Sequence, residues 1–234
     1  MEILTCQFTN PGGRDPNEDS VGYFNRENQH AWIAADGLGG HVSGEIASAE
    51  AVKTLEKEFN AAEKIDEAFM IKAFKRMNRA ILDLEGPLTT AVCAFSDGEK
   101  LWYGNEGDSR LYFIRNKKLI HHTNDHSVAY VDYLDGEVSY DEISSHPMQN
   151  RLYHSLGTEY EYFGEFYPVI QLEPEDAFLL ATDGFWELIT TEEVVKTRLI
   201  SATPQEWLST MLDIVESRLV PTSDNYSAVC VIVK

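Results

Sequence analysis

The sequence is poor in cysteine and in basic residues, and it has no long apolar run. Its three cysteines, Cys6, Cys93 and Cys230, show no CxxC spacing and lie in apolar segments that resemble strands. Such thiols are usually buried core residues, so neither a disulfide framework nor a cysteine metal site is expected. No apolar run approaches the roughly 18 residues of a membrane span, and the first ten residues lack the basic region of a signal peptide. We therefore expect a cytoplasmic protein with no membrane partner.

The shortage of basic residues gives the chain a strongly negative charge. Its 19 lysines and arginines face 39 aspartates and glutamates, for a formal net charge of -20. This charge opposes binding to nucleic acid, whose backbone is negative. It suits divalent cations, although general solubility explains it equally well. A phosphate substrate would need a local positive centre, which bound metal and one arginine can supply.

The length and the apolar content are sufficient for one sizeable core. The chain has 234 residues, of which 43% are hydrophobic. That size is within the usual range for one domain, and no repeat or linker divides the sequence. We expect a single domain over residues 1–234 and, by default, a monomer.

Hydrophobic periodicity predicts strands and helices in separate groups. The predicted strands lie at 3–8, 31–36, 89–96, 100–105, 110–115, 118–122, 164–171, 176–183 and 226–233. The predicted helices lie from Ser43 onward and at about 63–84, 126–134, 146–155, 191–200 and 204–218. Residues 125–157 are expected to form a surface insertion. The grouping predicts an α+β fold of antiparallel sheets with helices packed on the sheet faces.

Acidic residues lie at the ends of several apolar strand segments: Asp36, Asp108 and Asp183 after a strand, and Asp224 just before one. Strand ends in one sandwich can converge, which would gather these carboxylates. The alternative is turn chemistry, because Asp-Gly is a common turn signal. For Asp97-Gly98, between two amphipathic strands, the turn interpretation is sufficient.

A gathered set of carboxylates, with no histidine or cysteine at ligand spacing, favours hard ions such as magnesium, manganese or calcium. The candidates are far apart in sequence, which excludes an EF-hand with its contiguous 12-residue loop. Ligands from distant segments are typical of a catalytic cleft. Two such ions about 4 Å apart can activate a water molecule for attack on phosphorus.

Eight short motifs together resemble the metal-dependent protein phosphatase family (type 2C, PPM) in its compact bacterial form. They span the chain in the order of the family, and the whole set is far more specific than any single motif. The motifs are Arg14-x-x-Asn17-Glu18-Asp19, Asp36-Gly37-Leu38-Gly39-Gly40-His41, Thr89-Thr90, Gly107-Asp108-Ser109-Arg110, Asp125-His126-Ser127, His146-Pro147 with Asn150 and Leu152, Thr182-Asp183-Gly184, and Asp224-Asn225.

The resemblance implies a set of metal ligands for Mn²⁺ or Mg²⁺, two ions per site with a weaker third. Asp36 would bridge two ions, and Asp183 and Asp224 would hold the first. The Gly37 carbonyl and Glu18 would serve the second ion. Asp108, with Asp183, is similar to the ligands of the third ion in bacterial members.

The resemblance also implies a substrate-binding residue and a fold. Arg14 would bind the substrate phosphate, since a guanidinium offers a planar fork of donors, and Asp19 is similar to a position that orders the site. The catalytic set is thus Arg14, Asp36 and Asp183. The implied fold is a four-layer αββα sandwich of two mainly antiparallel sheets with helices on both faces.

Some positions depart from the family or keep a structural interpretation. Leu38 stands where some members carry a histidine that protonates the leaving alcohol, and nothing indicates that His41 substitutes for it. Thr89 and Thr90 could simply cap backbone groups, and His126 could be an acid or base or a hydrogen-bonded structural residue. The segment at about 129–145 resembles the mobile flap of bacterial members, with a solvated loop as the alternative.

The resulting expectation is a metal-dependent protein serine/threonine phosphatase that hydrolyses phosphorylated proteins and opposes a serine/threonine kinase. The alternative is a pseudophosphatase that binds phosphoprotein and regulates a partner without turnover. A hydrolase of a small phosphate compound is a third hypothesis, weakened by the lack of a P-loop or dinucleotide motif.

Overall fold

The computed structural model describes residues 1–38, 43–159 and 164–234. Its strands are β1 Ile3–Asn10, β2 Asp19–Arg26, β3 Gln29–Asp36, β4 Ala91–Ser96, β5 Lys100–Glu106, β6 Arg110–Arg115, β7 Lys118–His122, β8 Glu165–Phe166, β9 Ile170–Gln171, β10 Ala177–Ala181 and β11 Tyr226–Val233. Its α-helices are α1 Gly44–Ala61, α2 Glu67–Leu82, α3 Val128–Leu134, α4 Asp183–Trp186, α5 Thr191–Ile200 and α6 Pro204–Arg218, with a 3-10 helix at Tyr140–Ser145. The motif residues Gly39, Gly40 and His41 lie outside the described residues.

Local signals in the sequence fix where the helices begin. The side chain of Asp66 accepts a hydrogen bond from the Phe69 amide at the start of α2, and Thr203 does the same for Glu206 at the start of α6. Thr190 and Glu193 form a reciprocal capping box before α5. Each contact satisfies an amide that the helix itself leaves without a partner.

The strands form two antiparallel sheets. One has the order β1-β11-β10-β6-β7, and the other has the order β2-β3-β4-β5-β8 with β9 also paired to β5. The sheets pack face to face over a core that includes Trp32, Phe178 and Val231. Helices α1 and α2 cover the outer face of the second sheet, and α5 and α6 cover that of the first. The predicted four-layer αββα fold is confirmed.

Two expectations about secondary structure are wrong. Hydrophobic periodicity does not predict β2, because Gly22, Asn25 and Arg26 interrupt its apolar pattern; pairing with β3 over its whole length makes it a strand. The predicted helix at 146–155 does not form. Some of its backbone groups bond to other segments instead: the Val128 amide, at the start of α3, donates to the Arg151 carbonyl at 2.9 Å.

Other expectations hold. The predicted strand at 164–171 is present as the short β8 and β9, separated by Tyr167-Pro168-Val169, where proline has no amide to donate. Asp97-Gly98 forms the hairpin between β4 and β5, and the Asp97 carboxylate accepts from two amides of that turn. All three cysteines are free, and two of them are fully buried. Across the described ranges, no helix combines the length and the apolarity needed to cross a membrane.

Candidate active site

The two sheets bring acidic residues from distant segments to one edge of the sandwich. Asp19 begins β2 and Asp36 ends β3, and the two are direct partners in the strand register. Asp183 follows β10 at the start of α4, and Asp224 lies two residues before β11. Since β10 and β11 are neighbours in the other sheet, one pair of carboxylates comes from each sheet.

Thr89 and Thr90 hold the backbone around Asp36. The Thr90 hydroxyl accepts from the Asp36 amide at 3.0 Å, and the Thr89 hydroxyl donates to the Asp36 carbonyl at 2.7 Å. The hydroxyls of Thr90 and Ser109 are 2.7 Å apart, which links this strand end to the Asp108 motif. The structural interpretation of both threonines agrees with these contacts.

Asp19 is held by the opposite sheet. The Thr182 hydroxyl donates to Asp19 Oδ2 at 2.8 Å and accepts from the Ser227 amide at 3.0 Å. Asp19 Oδ1 is buried without a hydrogen-bond partner. Burial raises the pKa of Asp19 to about 7, against the lowering effect of the hydrogen bonds from Ser227 and Thr182.

Asn225 ties the loop that carries Arg14 and Glu18 to the strand that follows Asp224. Its side-chain oxygen accepts from the Glu18 amide at 2.8 Å, and its side-chain nitrogen donates to the Pro11 carbonyl at 2.8 Å. Arg14 Nη2 lies 2.9 Å from Asp224 Oδ2, and half of the arginine side chain is exposed. The predicted phosphate-binding residue therefore reaches a predicted metal ligand while facing solvent.

Gly37 lies where β3 meets the start of α1. A Cβ on Gly37 would be 2.2 Å from the Gly44 carbonyl oxygen, and a Cβ on Gly44 would be 2.8 Å from the Gly37 carbonyl carbon and from Glu18 Oε1. Only glycine permits this approach. The contact places the predicted backbone ligand Gly37 beside Glu18.

Asp108 is buried and is contacted by Trp186 and Gln149. The Trp186 indole donates to its carbonyl at 3.0 Å, and Gln149 Nε2 lies 3.4 Å from its carboxylate. Arg110 does not bind Asp108 directly; it forms a buried bidentate pair with Asp125, at 2.8 and 2.6 Å. Arg110 therefore binds a buried carboxylate of its own sheet region and does not line the cleft.

Burial and mutual repulsion raise the pKa values of several of the gathered carboxylates. Burial and then the charge of Asp183 raise the pKa of both Asp36 and Asp108 well above the usual range. Burial and the charge of Asp224 raise the pKa of Asp183 to about 6, while a hydrogen bond with Asp36 acts in the opposite direction. The site thus holds more negative charge than its surroundings compensate.

Sequence reasoning missed one acidic residue of this group. Glu187, one turn after Asp183, is partly buried, and burial and the charges of Asp183 and Asp224 raise its pKa to about 8. Its charge also acts on Asp108. The sequence signal that could have found Glu187 is its spacing of four residues from Asp183, which places the two on the same side of a helix.

His126 has the contacts of a structural residue. Its Nδ1 accepts from the Gly107 amide at 3.1 Å, so the proton of a neutral ring lies on Nε2, which is 3.4 Å from Glu165. His126 is buried and does not line the cleft described below. These contacts favour the structural interpretation over an acid or base role.

The carboxylates open into a cleft of about 860 Å³. Arg14, Glu18, Asp36, Asp183 and Asp224 line it together with Leu38 and residues from 150–158. Among the described residues that line the cleft, none comes from the predicted flap at 129–145. That segment is anchored in part, because Tyr130 and Ile143 are buried in the core under α5 and α6.

The donors at this site suit a hard cation. Carboxylate oxygens and a backbone carbonyl are the ligands that magnesium and manganese prefer, and a cation would relieve the repulsion that raises the pKa values. Within residues 1–38, 43–159 and 164–234, however, no three histidine, cysteine, aspartate or glutamate side chains are arranged as ligands of one ion. The carboxylates lie near one another, but their oxygens do not surround a single point as the ligands of one ion would.

Comparison with known proteins identifies the family. The family model described as protein phosphatase 2C matches residues 12–218. The chain belongs to the protein phosphatase 2C family. The phosphatase is 35% identical over 202 residues to the serine/threonine phosphatase stp of Listeria monocytogenes, with 79% of each chain covered. It is 32% identical over 194 residues to the protein phosphatase PhpP of Streptococcus pneumoniae, with 77% and 78% covered.

The fold agrees with solved structures of phosphatases. The serine/threonine phosphatase Stp1 from Staphylococcus aureus superposes with a TM-score of 0.89 at 26% identity, covering 100% of this phosphatase and 96% of Stp1. The expected family, fold and activity are confirmed: the chain is a metal-dependent protein serine/threonine phosphatase.

Proposed function

We propose that residues 1–234 act as one catalytic domain that hydrolyses phosphoserine and phosphothreonine in proteins, at the cleft lined by Asp36, Asp183 and Asp224. The observation that carries the proposal is the group of buried carboxylates with raised pKa values beside the exposed guanidinium of Arg14. Such a group is costly for folding alone, and perturbed carboxyl groups in a cleft are typical of functional sites.

We also propose which atoms hold the cation, Mn²⁺ or Mg²⁺. Two ions, with a weaker third, would take the oxygens of Glu18, Asp36, Gly37, Asp108, Asp183 and Asp224. Bound ions would lower the pKa of a water molecule and offset charge on the phosphoryl group. The unpartnered Asp19 Oδ1 behind Asp36 supports a role for Asp19 in orienting the ligands.

Arg14 is proposed to bind the phosphoryl oxygens of the substrate. Its contact with Asp224 shows that the guanidinium reaches the edge of the carboxylate group, and its exposure leaves donors for a ligand. A guanidinium can donate two parallel hydrogen bonds to a phosphoryl group. Leu38 has no proton to donate, so the leaving alcohol takes its proton from another source.

The proposed substrates are phosphorylated proteins made by a serine/threonine kinase, and the proposed working form is a monomer in the cytoplasm. The cleft, with a volume of about 860 Å³, leaves room for peptide residues beside the phosphoryl group.

A metal titration of turnover tests the proposal. The purified protein is assayed on a phosphothreonine peptide in EDTA, in Mg²⁺ and in Mn²⁺, together with Asp36→Asn and the control Asp97→Asn. Both changes alter an Asp-Gly pair, but Asp97 lies in the β4–β5 hairpin. Turnover is expected only with metal, with kcat reduced about 100-fold in Asp36→Asn and unchanged in Asp97→Asn.

Near-normal turnover in Asp36→Asn would contradict the site assignment. Binding of metal and phosphopeptide by the folded protein, with no turnover under any condition, would favour the pseudophosphatase instead.

A further inference from the structure

One wall of the cleft carries no acidic side chain. The residues between 150 and 158 that line the cleft are neutral or basic, and Arg151 is among them. The acidic residues that line the cleft come from other segments: Asp15, Glu18, Asp36, Asp183 and Asp224. The cleft therefore has an acidic side, where the proposed chemistry takes place, and a wall of neutral and basic residues.

Arg151 is exposed, and the structure gives its guanidinium no ion pair in the part of the chain that it describes. The other arginine that lines the cleft, Arg14, pairs with Asp224. Carboxylates outnumber basic groups by about two to one in this chain, yet none of those in the described residues pairs with Arg151. Its guanidinium is available to an anionic group that enters the cleft.

The backbone around Arg151 is fixed on both sides. The Arg151 amide donates to the Met148 carbonyl at 3.0 Å, its carbonyl accepts from Val128, and the Tyr153 amide donates to the His126 carbonyl at 2.9 Å. Two residues earlier, Gln149 contacts the Asp108 carboxylate. The segment is thus held in place relative to the carboxylates, which reduces the entropy lost when Arg151 binds a ligand.

We propose that Arg151 determines substrate specificity by binding an acidic group near the phosphorylated residue of the substrate. This inference rests on the proposed function and names its substrate class: phosphoprotein segments with an aspartate, a glutamate or a second phosphoryl group within a few residues of the target. A guanidinium binds either kind of oxyanion. Arg14 is assigned to the target phosphoryl group, so Arg151 is the cleft arginine that remains for a second anionic group.

Paired peptides test the inference. Three phosphothreonine peptides differ only in the residues that flank the target: glutamines, glutamates or a phosphonate analogue of phosphoserine that the enzyme cannot hydrolyse. The unaltered protein is expected to hydrolyse an acidic peptide with a kcat/KM about fivefold above that of the glutamine peptide, a ratio typical of an exposed ion pair. The glutamate and phosphonate peptides distinguish the two sources of the charge, and preference for either supports the inference.

Variants of Arg151 test whether the preference for acidic peptides depends on this residue. Arg151→Ala should remove it, and Arg151→Glu should reverse it, with unchanged kcat/KM on the glutamine peptide and on p-nitrophenyl phosphate. Arg79→Ala is the matched control, since Arg79 is an exposed arginine on α2 outside the cleft. Thermal unfolding of each variant verifies that the exposed change leaves the fold intact.

The outcomes separate the inference from the proposed function. Equal kcat/KM on all three peptides, or an equal loss on all three in Arg151→Ala, would overturn the inference and leave the phosphatase assignment in place. No hydrolysis of any phosphopeptide by the unaltered protein would overturn both.

Discussion

At the scale of single residues, the site depends on hydroxyl groups that lie behind the carboxylates. Thr182 joins the two sheets, because its hydroxyl donates to Asp19 of one sheet and accepts from the Ser227 amide of the other. Thr90 links Asp36 to Ser109 in a similar way. These residues contact no solvent, so each hydrogen bond replaces one that water would otherwise make.

Thr182→Val should destabilise the protein. Valine keeps the shape of threonine but removes one donor to Asp19 Oδ2 and the hydroxyl that accepts from the Ser227 amide, at a cost of about 1–3 kcal/mol in the free energy of unfolding. Urea denaturation measures the loss. The control is Thr210→Val on α6, whose hydroxyl bonds only within its helix; a change there of the same size would show that the buried contact has no special value.

At the scale of elements, the contact between the end of β3 and the start of α1 sets the position of the Gly37 carbonyl. Gly37 and Gly44 approach more closely than any side chain would permit. The Gly37 amide also donates to the Glu18 carbonyl at 3.1 Å, which joins β2 to the same point. Two strands and a helix therefore meet at one predicted ligand.

Gly44→Ala should lower turnover although alanine is the better helix former. The added Cβ would displace the Gly37 backbone and the Glu18 carboxylate, so kcat should fall about tenfold or more, as for other changes behind a ligand. The control, Gly98→Ala, places alanine at a φ of +94° in the hairpin at the far end of β4 and β5. It should lose stability and keep its kcat; equal kcat in both variants would contradict the role of the α1 contact.

At the scale of the whole molecule, two sheets each contribute carboxylates to one edge, and their repulsion opposes folding. Burial raises the pKa of Glu106 to about 8, and burial with neighbouring charges does the same for Glu187. In the unfolded chain these groups titrate near pH 4. Between about pH 4 and pH 8, the folded state therefore binds more protons than the unfolded state.

The metal-free protein should therefore lose stability as pH rises from 7 to 8.5. In this range the unfolded state binds fewer protons, so the free energy of unfolding falls with pH. Histidines with lowered pKa values, such as His30, act in the opposite direction only below about pH 6.5. Urea midpoints in EDTA and in Mg²⁺ measure the effect, and Mg²⁺ should stabilise more at pH 8.5 because it binds ionised ligands. A midpoint that rises with pH in EDTA would refute the electrostatic account.

The sequence by itself determined the family, the layered fold and most candidate acids. A local signal was enough to find four of these acids, because each lies at the end of an apolar strand segment: Asp36, Asp108, Asp183 and Asp224. The signals for the helix starts at Thr190, Thr203 and Asp66 are also local, because the capping side chain bonds to an amide within four residues. Roles for these acids could be assigned only through the resemblance to the family.

Only the tertiary structure decided the contacts between segments distant in sequence. β2 is a strand because it pairs with β3, and residues 146–155 are not a helix because backbone groups of this segment bond to Val128 and His126. Only the folded chain shows that Glu187 lies beside the site and that Arg151 has no carboxylate partner within residues 1–38, 43–159 and 164–234. Hydrogen bonding and electrostatics depend on distance in space, and the two sheets bring together residues that lie up to about two hundred positions apart, such as Glu18 and Asn225.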